Sequence, residues 1–476
     1  MTGMTRGLRI VAVVVVLLIA GCQAPVIGPD ATETDLPDST QTDADVETTE
    51  PVPTDETTPT STDVAETETE KTTTEQWETT TMTATETTES TASNGTDGTN
   101  SIAVEGGNLT LSADQVFADV KDVMAADVSP PRQVTVFENE SEMTATLGGG
   151  ATGVSRFNRI LGLQPGEGLN GTEFERMENG LTFNTGFIYI VKSPDGDPAS
   201  TEWVLAHEFG HYVNLRLDRV TTLQSNLGRT TDESYVVRAV REGATVLTTD
   251  AYLARHGNRT EPTAPLYDQL LAAVSPGEIN RYGFSQYAFG HRYVADRIDD
   301  PADLDSVFEN PPQTSEQVIH GYAPDTEPPA ELNVTVNASG AWRSGGSDRL
   351  GEAFVRYALE NGVAPDRAAE AAAGWGTDRL YYLRPTKSGD SSYAWTFRWD
   401  DAANATEFER TMRDSLKERG DRTENAWSLG NATATLHSPT DRTTVLLLGN
   451  ESLVDNTAVT SPDAGQIRIE LPKAED

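Results

Sequence analysis

Two histidines and a glutamate occur together in one short segment, Ala206-His207-Glu208-Phe209-Gly210-His211. The spacing of four residues puts His207 and His211 on one face of an α-helix, where two imidazole nitrogens can bind one zinc ion. Glu208 would then face the open coordination position, where its carboxylate could accept a proton from water and pass it to a leaving amine. The chain has six histidines in all, so this arrangement is improbable as a pair of unrelated surface residues. The segment predicts a zinc site with a general base beside it.

The same segment resembles the H-E-x-x-H signature of the zincin metallopeptidases. The resemblance implies a mainly helical zincin-like domain with a small N-terminal sheet, in which zinc-activated water hydrolyses a peptide bond. The metzincin branch needs a glycine and a third histidine further along the helix. Asn214 and Leu217 occupy those two positions here, which excludes that branch.

Glu242 is the best candidate for the third zinc ligand. It lies on a predicted helix over 232–250 and is followed by Gly243 and Ala244. A glutamate followed by small residues on a second helix resembles the ligand that completes the His-His-Glu set of the gluzincin branch. The small residues would let the two helices approach closely. The resemblance thus implies that Glu242 binds zinc together with the two histidines.

Other ligands and roles stay open at this point. Glu233 and Asp250 are further carboxylates of the second helix, and Glu242 could instead pair with Arg238 on an exposed face. The best-known gluzincins have a shorter gap between the two helices and an acidic residue one turn after the glutamate. Here the gap is longer and that acidic residue is absent, although Asp218 or Asp250 could orient a histidine instead. The remaining candidate ligands are the distant histidines His256, His291, His320 and His437.

A gluzincin-type site also needs a tyrosine or histidine donor for the oxyanion. Tyr287, His291 and Tyr293 lie in one segment that is typical of a packed helix with a close-approach glycine. His320 and Tyr322 lie in a second segment, which resembles a downstream segment of some uncharacterised secreted zincin-like proteins. We therefore expect His320 or Tyr322 to be the donor.

The hydrophobic periodicity predicts the elements that would position these residues. Helices are predicted over 111–124 and 199–219, and strands over 133–137 and 186–191. Asp197 is a typical N-cap and Pro198 a typical first residue for the helix that carries the histidines. With the helix over 232–250, these elements belong to the zincin-like domain predicted over 105–340.

A second domain is predicted over 347–476. Residues 347–373 are rich in alanine and helical in pattern, and the segment Trp375-Gly376-Thr377-Asp378-Arg379 opens a different region. The later elements are two strands (380–383 and 393–399), a helix (402–418) and two strands (427–436 and 443–448). This order predicts a small antiparallel α+β domain. Its aromatic stripe favours a core position over a binding face: Tyr393, Trp395, Phe397 and Trp399. The segment that starts at Trp375 resembles the C-terminal part of the same secreted zincin-like proteins. So does the combination of Trp399-Asp400 with Glu407-Phe408 further along the chain.

The N-terminal hundred residues predict export and anchoring. Residues 1–22 combine two arginines with a short apolar run and end in Ile19-Ala20-Gly21-Cys22, which resembles a lipoprotein signal peptide with its lipobox. Cys22, the one cysteine of the chain, would carry the lipid. Residues 23–104 form a predicted disordered stalk, because 26 threonines and 19 acidic residues within 23–100 cannot build a core.

Ten Asn-x-Ser/Thr sequons indicate glycosylation in an exported protein. They are Asn94, Asn108, Asn139, Asn170, Asn258, Asn333, Asn337, Asn404, Asn431 and Asn450.

The acidic composition limits the partners of the protein. The formal net charge is −40, of which −24 falls on residues 101–476. Such a surface repels nucleic acid and suits a protein that must stay hydrated at high salt. With the lipobox and the acidic stalk, it resembles surface lipoproteins of halophilic archaea.

The sequence therefore predicts a zinc metallopeptidase held by a lipid on the extracellular face of the cell membrane, with a peptide or protein as substrate. Its oligomeric state is left open. The alternative is a non-catalytic envelope or binding protein on a zincin scaffold.

Overall fold

The computed structural model describes residues 101–146, 154–164, 180–192, 198–257, 261–463 and 465–473. The predicted signal peptide with Cys22, almost all of the predicted stalk and the predicted N-cap Asp197 lie outside these residues. The described residues belong to one compact unit and have an α+β fold. Within them, no helix has the length and apolar character needed to span a bilayer.

A four-stranded sheet forms the first layer of the fold. In chain order its strands are β1 (Ala103–Glu105), β2 (Gln133–Phe137), β3 (Gly180–Thr182) and β4 (Phe187–Val191). Their spatial order is β1-β2-β4-β3, with β1 and β4 parallel to β2 and β3 antiparallel to β4 at the edge. Strands β2 and β4 confirm the two predicted strands. The first strand begins at Ala103, so the folded chain starts slightly before the expected end of the stalk.

The described residues before 321 also form ten α-helices, some of which lie between the strands in the sequence and the rest after them. They are α1 (Ala113–Val123), α2 (Glu140–Thr146), α3 (Arg156–Ile160), α4 (Pro198–Arg216), α5 (Arg219–Ser225), α6 (Thr231–Arg255), α7 (Ala264–Ala273), α8 (Asn280–Ala295), α9 (Asp305–Glu309) and α10 (Ser315–His320). One core joins the sheet to these helices, except for α2, whose Met143 packs on Phe137 and Val191, and α3, whose Phe157 packs in a second core with Trp395. The shared core includes Val134, Ile188, Phe209, Val240 and Phe284.

Helix α4 carries the two histidines and is buried along most of its length. All residues from 201 to 214 are buried, as expected for a helix in contact with the sheet on one side and with other helices on the other. The predicted helix over 199–219 ends earlier, at Arg216. Asp218 has a left-handed φ of 57° and starts the separate helix α5, so the backbone cannot continue as one helix.

Helix α6 is longer than predicted and begins with a capping box. The side chain of Thr230 accepts from the backbone of Glu233, and the Glu233 carboxylate accepts in return from the backbone of Thr230. Glu233 also pairs with Arg349 at 3.1 Å. These contacts explain why the helix starts at Thr231, and they assign Glu233 a structural role.

Glycines set the distance between the helices around α6. A Cβ on Gly243 would meet the backbone of Gly290 in α8, and a Cβ on Gly290 would meet the backbone of Ala239. Gly243 was expected to bring α6 close to α4, but it packs against α8. The close approach of α4 to α6 is instead at Gly210, where a Cβ would lie 3.1 Å from Cγ2 of Thr245.

The C-terminal part contains a seven-stranded antiparallel sheet in the order β6-β7-β8-β12-β11-β10-β9. Its strands are β6 (Trp342–Asp348), β7 (Trp375–Pro385), β8 (Ser392–Trp399), β9 (Asp421–Arg422), β10 (Trp427–Leu429), β11 (Ala432–Thr440) and β12 (Thr443–Gly449). The helices of this part are α11 (Gly351–Glu360), α12 (Pro365–Ala372), α13 (Ala402–Arg419) and α14 (Glu451–Asn456). The strand predicted over 427–436 is thus a hairpin, β10 and β11, which turns at Gly430.

The two faces of this sheet have different cores. Helices α11 to α13 pack on one face, and the predicted aromatic stripe lies buried there, as expected for core residues. The other face packs on a three-stranded sheet in the order β13-β14-β5, formed by β5 (Asn333–Asn337), β13 (Ala458–Thr460) and β14 (Gln466–Glu470). Strand β5 pairs in parallel with β14, so residues 333–337 pack with the C-terminal elements.

Asp378 explains the Trp-Gly-Thr-Asp-Arg segment in structural terms. Its buried carboxylate accepts from the indole nitrogens of Trp375 at 3.1 Å and Trp395 at 2.8 Å. It also accepts from the backbone nitrogens of Leu350 and Gly351, at the start of α11. A negative charge at a helix N-terminus is stabilising, so this residue fixes α11 on the sheet.

Candidate metal centre

His207, His211 and Glu242 come together in the interior, and we call them the His-His-Glu group. Nε2 of His211 lies 3.1 Å from Oε2 of Glu242, and Nε2 of His207 lies 3.6 Å from the same oxygen. Two ligands of a tetrahedral zinc ion, each about 2.0–2.1 Å from the metal, are about 3.4 Å apart. The two measured separations lie on either side of this value. The donor set and its spacing fit zinc.

Burial makes this group costly without a cation. His207, His211 and Glu242 are 1 %, 4 % and 1 % exposed. Neither ring nitrogen of His207 has a hydrogen-bond partner among the described residues. Burial alone would raise the pKa of Glu242, but the charges of His211 and His207 and the hydrogen bond with His211 lower it below its usual range, so the carboxylate is ionised. A buried negative charge beside unpartnered imidazole nitrogens is the environment of a metal ligand set.

Thr245 fixes the tautomer of His211. Its Oγ1 lies 3.1 Å from Nδ1 of His211 and donates its own proton to the carbonyl oxygen of Arg241 at 2.8 Å. A hydroxyl has one proton, so Thr245 must accept from Nδ1–H of the imidazole. Nε2 of neutral His211 then presents a lone pair towards the Glu242 carboxylate. Two acceptors this close need a cation between them, either a proton or a metal ion.

Glu208 lies next to this group and is held by the edge strand of the first sheet. Thr182 in β3 donates to Oε2 of Glu208 at 2.6 Å, and its hydroxyl is 2.9 Å from the Glu208 carbonyl oxygen. Burial raises the pKa of Glu208 to about 7, although His207 and Thr182 oppose this effect. A carboxyl group whose pKa is near neutrality can both accept and donate a proton at neutral pH.

Two tyrosines line the centre with free hydroxyls. The ring of Tyr287 in α8 stacks on His207 with centroids 6.4 Å apart, and Tyr267 in α7 stacks on Tyr287 at 4.7 Å. Both hydroxyls are buried and have no hydrogen-bond partner among the described residues. Burial, together with the charge of Glu242, raises the pKa of each well above its usual range, so both remain donors. An unpartnered buried hydroxyl costs about 1–3 kcal/mol, which indicates a site that receives an oxygen acceptor.

The other carboxylates considered as ligands or as orienting groups have different contacts. Asp250 accepts from the backbone nitrogen and hydroxyl of Thr263 and from the nitrogen of Ala264, at the start of α7. Asp218 starts α5, and Glu233 starts α6. Glu242 is buried and has no ion pair with Arg238, so the alternative of an exposed surface pair is wrong.

The remaining histidines lie outside the His-His-Glu group. Nε2 of His320 is 3.0 Å from both carboxylate oxygens of Glu352 in α11, and its ring stacks on Tyr322 at 5.3 Å. His256 lies 3.7 Å from the carboxylates of Asp119 and Asp122. His437 contacts Thr435 at 3.0 Å, and His291 is half-buried on α8. Of the expected oxyanion donors, Tyr287 is the one whose ring contacts a histidine of the centre.

Sequence reasoning did not find three residues of this centre. Thr182 lies in a three-residue strand that has no periodicity of its own, and Tyr267 lies in an unremarkable helix. Thr245 had a usable signal, because a polar residue three positions after Glu242 lies on the same face of α6.

The comparison with known protein families gives a match in the C-terminal part of the chain, away from the His-His-Glu group. The family model described as a domain of unknown function (DUF8575) matches residues 340–459. This region contains the seven-stranded sheet with helices α11 to α14, and none of the His-His-Glu group. No curated protein and no solved structure matches the chain.

Proposed function

We propose that the protein is a zinc-dependent metallopeptidase of the gluzincin type, in which His207, His211 and Glu242 hold the metal. The observation that carries this proposal is the convergence of two histidine nitrogens and a carboxylate, all buried, with Glu208 directly beside them. The order of the elements also supports it. A small sheet with an antiparallel edge strand precedes the histidine helix, and a second helix brings the glutamate.

The contacts of the residues support a role for each of them. A zinc ion bound here would supply Lewis-acid activation of water and of the scissile carbonyl. Glu208 takes a proton from the attacking water, and Thr182 holds its carboxylate in one orientation. The hydroxyl of Tyr287 donates to the carbonyl oxygen as negative charge develops there. The C–N bond breaks as Glu208 returns its proton to the leaving nitrogen.

Peptide hydrolysis by the zinc-loaded protein tests this proposal. A broad peptide pool is appropriate, because no side-chain pocket has been assigned. The assay belongs at high salt, where screening offsets the self-repulsion of a region that carries a charge of −24. Cleavage that requires zinc supports the proposal, and a zinc-loaded protein that cleaves nothing counts against it.

A non-catalytic binding or envelope protein is the second candidate. The observation in its favour is that Glu208 is 2 % exposed, so a substrate can reach it only after some rearrangement of the surrounding chain. The two candidates differ in one respect: a structural zinc site holds the fold together, whereas a catalytic one also turns over substrate.

The proposed location is the extracellular face of the membrane, with a lipid on Cys22. This proposal is supported by the lipobox-like segment and by the acidic, threonine-rich residues that follow it. A Cys22→Ser variant tests it. Release from the membrane fraction, or altered processing, supports the anchor, and unchanged retention and mobility support an uncleaved N-terminal segment instead.

A further inference from the structure

Two arginines of α6 lie beside the centre without a carboxylate partner. Arg238 and Arg241 are half-buried, and neither forms an ion pair with any described residue. Both lie within one turn before Glu242, on the side of the helix that also carries Thr245.

The two side chains are neighbours on α6, three residues apart, and they act on different residues of the site. Arg241 is close enough to Glu208 for its charge to act on that carboxylate. Its Nε is buried and has no hydrogen-bond partner among the described residues. Arg238 reaches α8, where Nη1 lies 3.4 Å from Oε1 of Gln286, and its charge acts on Tyr287.

Buried guanidinium donors are costly when they are left unpaired. Neither the hydroxyl of Tyr287 nor the carbonyl of a peptide supplies a negative charge to these guanidinium groups. A carboxylate does, and a guanidinium binds it through paired, charge-assisted hydrogen bonds.

We propose that Arg238 and Arg241 form a subsite for a carboxylate of the substrate, so that the peptides bound at this centre are acidic. This inference rests on the proposed function, because only a peptidase makes the bound peptide a substrate. The subsite itself requires only that an acidic peptide binds to the two arginines. Because the surface as a whole repels acidic peptides, a local pair of cations is the feature that would let them bind.

The test uses the zinc-loaded Glu208→Gln variant as a trap, so that binding is measured without turnover. Dye-labelled, C-terminally amidated peptide pools that contain either glutamate or glutamine are compared by fluorescence anisotropy at equal ionic strength. A third pool carries glutamine with a free C-terminal carboxylate, which separates side-chain from terminal recognition. We expect at least about fivefold tighter binding of one carboxylate pool, since charge-assisted hydrogen bonds exceed neutral ones by this margin or more.

Arg238→Gln and Arg241→Gln, each added to the trap, should abolish this preference. Arg343→Gln is the matched control, because Arg343 is exposed on β6 and its loss changes the net charge equally. Equal binding of all pools, no binding at all, or a preference that survives both substitutions would overturn the inference. A preference without any cleavage by the wild-type protein would keep the subsite and reject the peptidase. Cleavage by the wild-type protein without any preference for acidic peptides would keep the peptidase and reject the subsite.

Discussion

Thr245 lies 3.1 Å from Nδ1 of His211 and receives the proton of that nitrogen, because its own proton goes to the carbonyl of Arg241. The hydroxyl therefore accepts the hydrogen bond that a carboxylate commonly accepts from a metal-bound histidine. If the proposed zinc is bound there, this hydroxyl stands in for the acidic residue that the gluzincins carry one turn after the ligand glutamate.

The first prediction concerns this hydroxyl. Thr245→Val keeps the shape of the side chain but removes the acceptor, so the imidazole loses its fixed orientation. We expect the zinc affinity, measured by competition with a chelating dye, to fall about 10–100-fold. Thr245→Ser restores a hydroxyl at the same place and should stay close to the wild type. Equal affinities of all three proteins would remove Thr245 from the metal site.

A second prediction concerns the ligand set. The purified protein should retain one zinc per chain after dialysis, and His207→Ala, His211→Ala or Glu242→Ala should each lose it, because the remaining two ligands cannot compete with solvent. Metal content is measured by elemental analysis. His320→Ala is the control, since His320 contacts Glu352 and should leave the zinc in place. Stoichiometric zinc in the His207→Ala, His211→Ala double variant would put the site elsewhere.

The contact between α6 and α8 gives a prediction about stability. A methyl group on Gly290 meets the backbone of Ala239, which cannot move aside as a side chain could. Gly290→Ala should therefore lower the free energy of unfolding by about 1–3 kcal/mol and disturb Tyr287 one turn away. Gly283 lies on the same helix with nothing within 4 Å of an added Cβ, so Gly283→Ala should be neutral or stabilising. Denaturant unfolding at high salt compares the two variants, and an equal effect of both would contradict the packing.

The pair formed by His320 and Glu352 should depend on pH. The hydrogen bond to the buried carboxylate of Glu352 raises the pKa of His320 above its ordinary value of 6.5. Since the folded state holds the proton more tightly, the pair contributes its full stabilisation below pH 6.5. That contribution is lost as the pH rises through the raised pKa. NMR titration of the imidazole checks the shift. Glu352→Gln should return the pKa towards its ordinary value, and a wild-type His320 that titrates below 6.5 would show that the assigned interaction is absent.

Residues of the centre that share a helix with a recognisable pattern could be predicted from the sequence. The spacing of His207 and His211 follows from helical geometry, and their contact with Glu242 matches the expectation raised by the small residues after it. The reason given for that contact was incomplete, because Gly243 packs against Gly290 and not against the histidine helix.

Residues that reach the centre from distant elements could not be predicted in this way. Thr182 reaches Glu208 from a strand of three residues, and no local pattern marks so short an element. Tyr287 fits the pattern of a core residue equally well, and its role depends on where α8 crosses α6. Pairing of Asn333 with Gln466 joins strands far apart in the chain. Such contacts depend on the tertiary fold, which periodicity does not encode.

The most direct test of the central claim is the Glu208→Gln variant. Glu208 is not part of the His-His-Glu group, so its replacement should leave zinc content and unfolding midpoint unchanged. Loss of the proton acceptor should lower the turnover of a cleaved peptide by about 10²–10⁴-fold. Equal peptide turnover by the zinc-loaded wild type and Glu208→Gln would contradict the account.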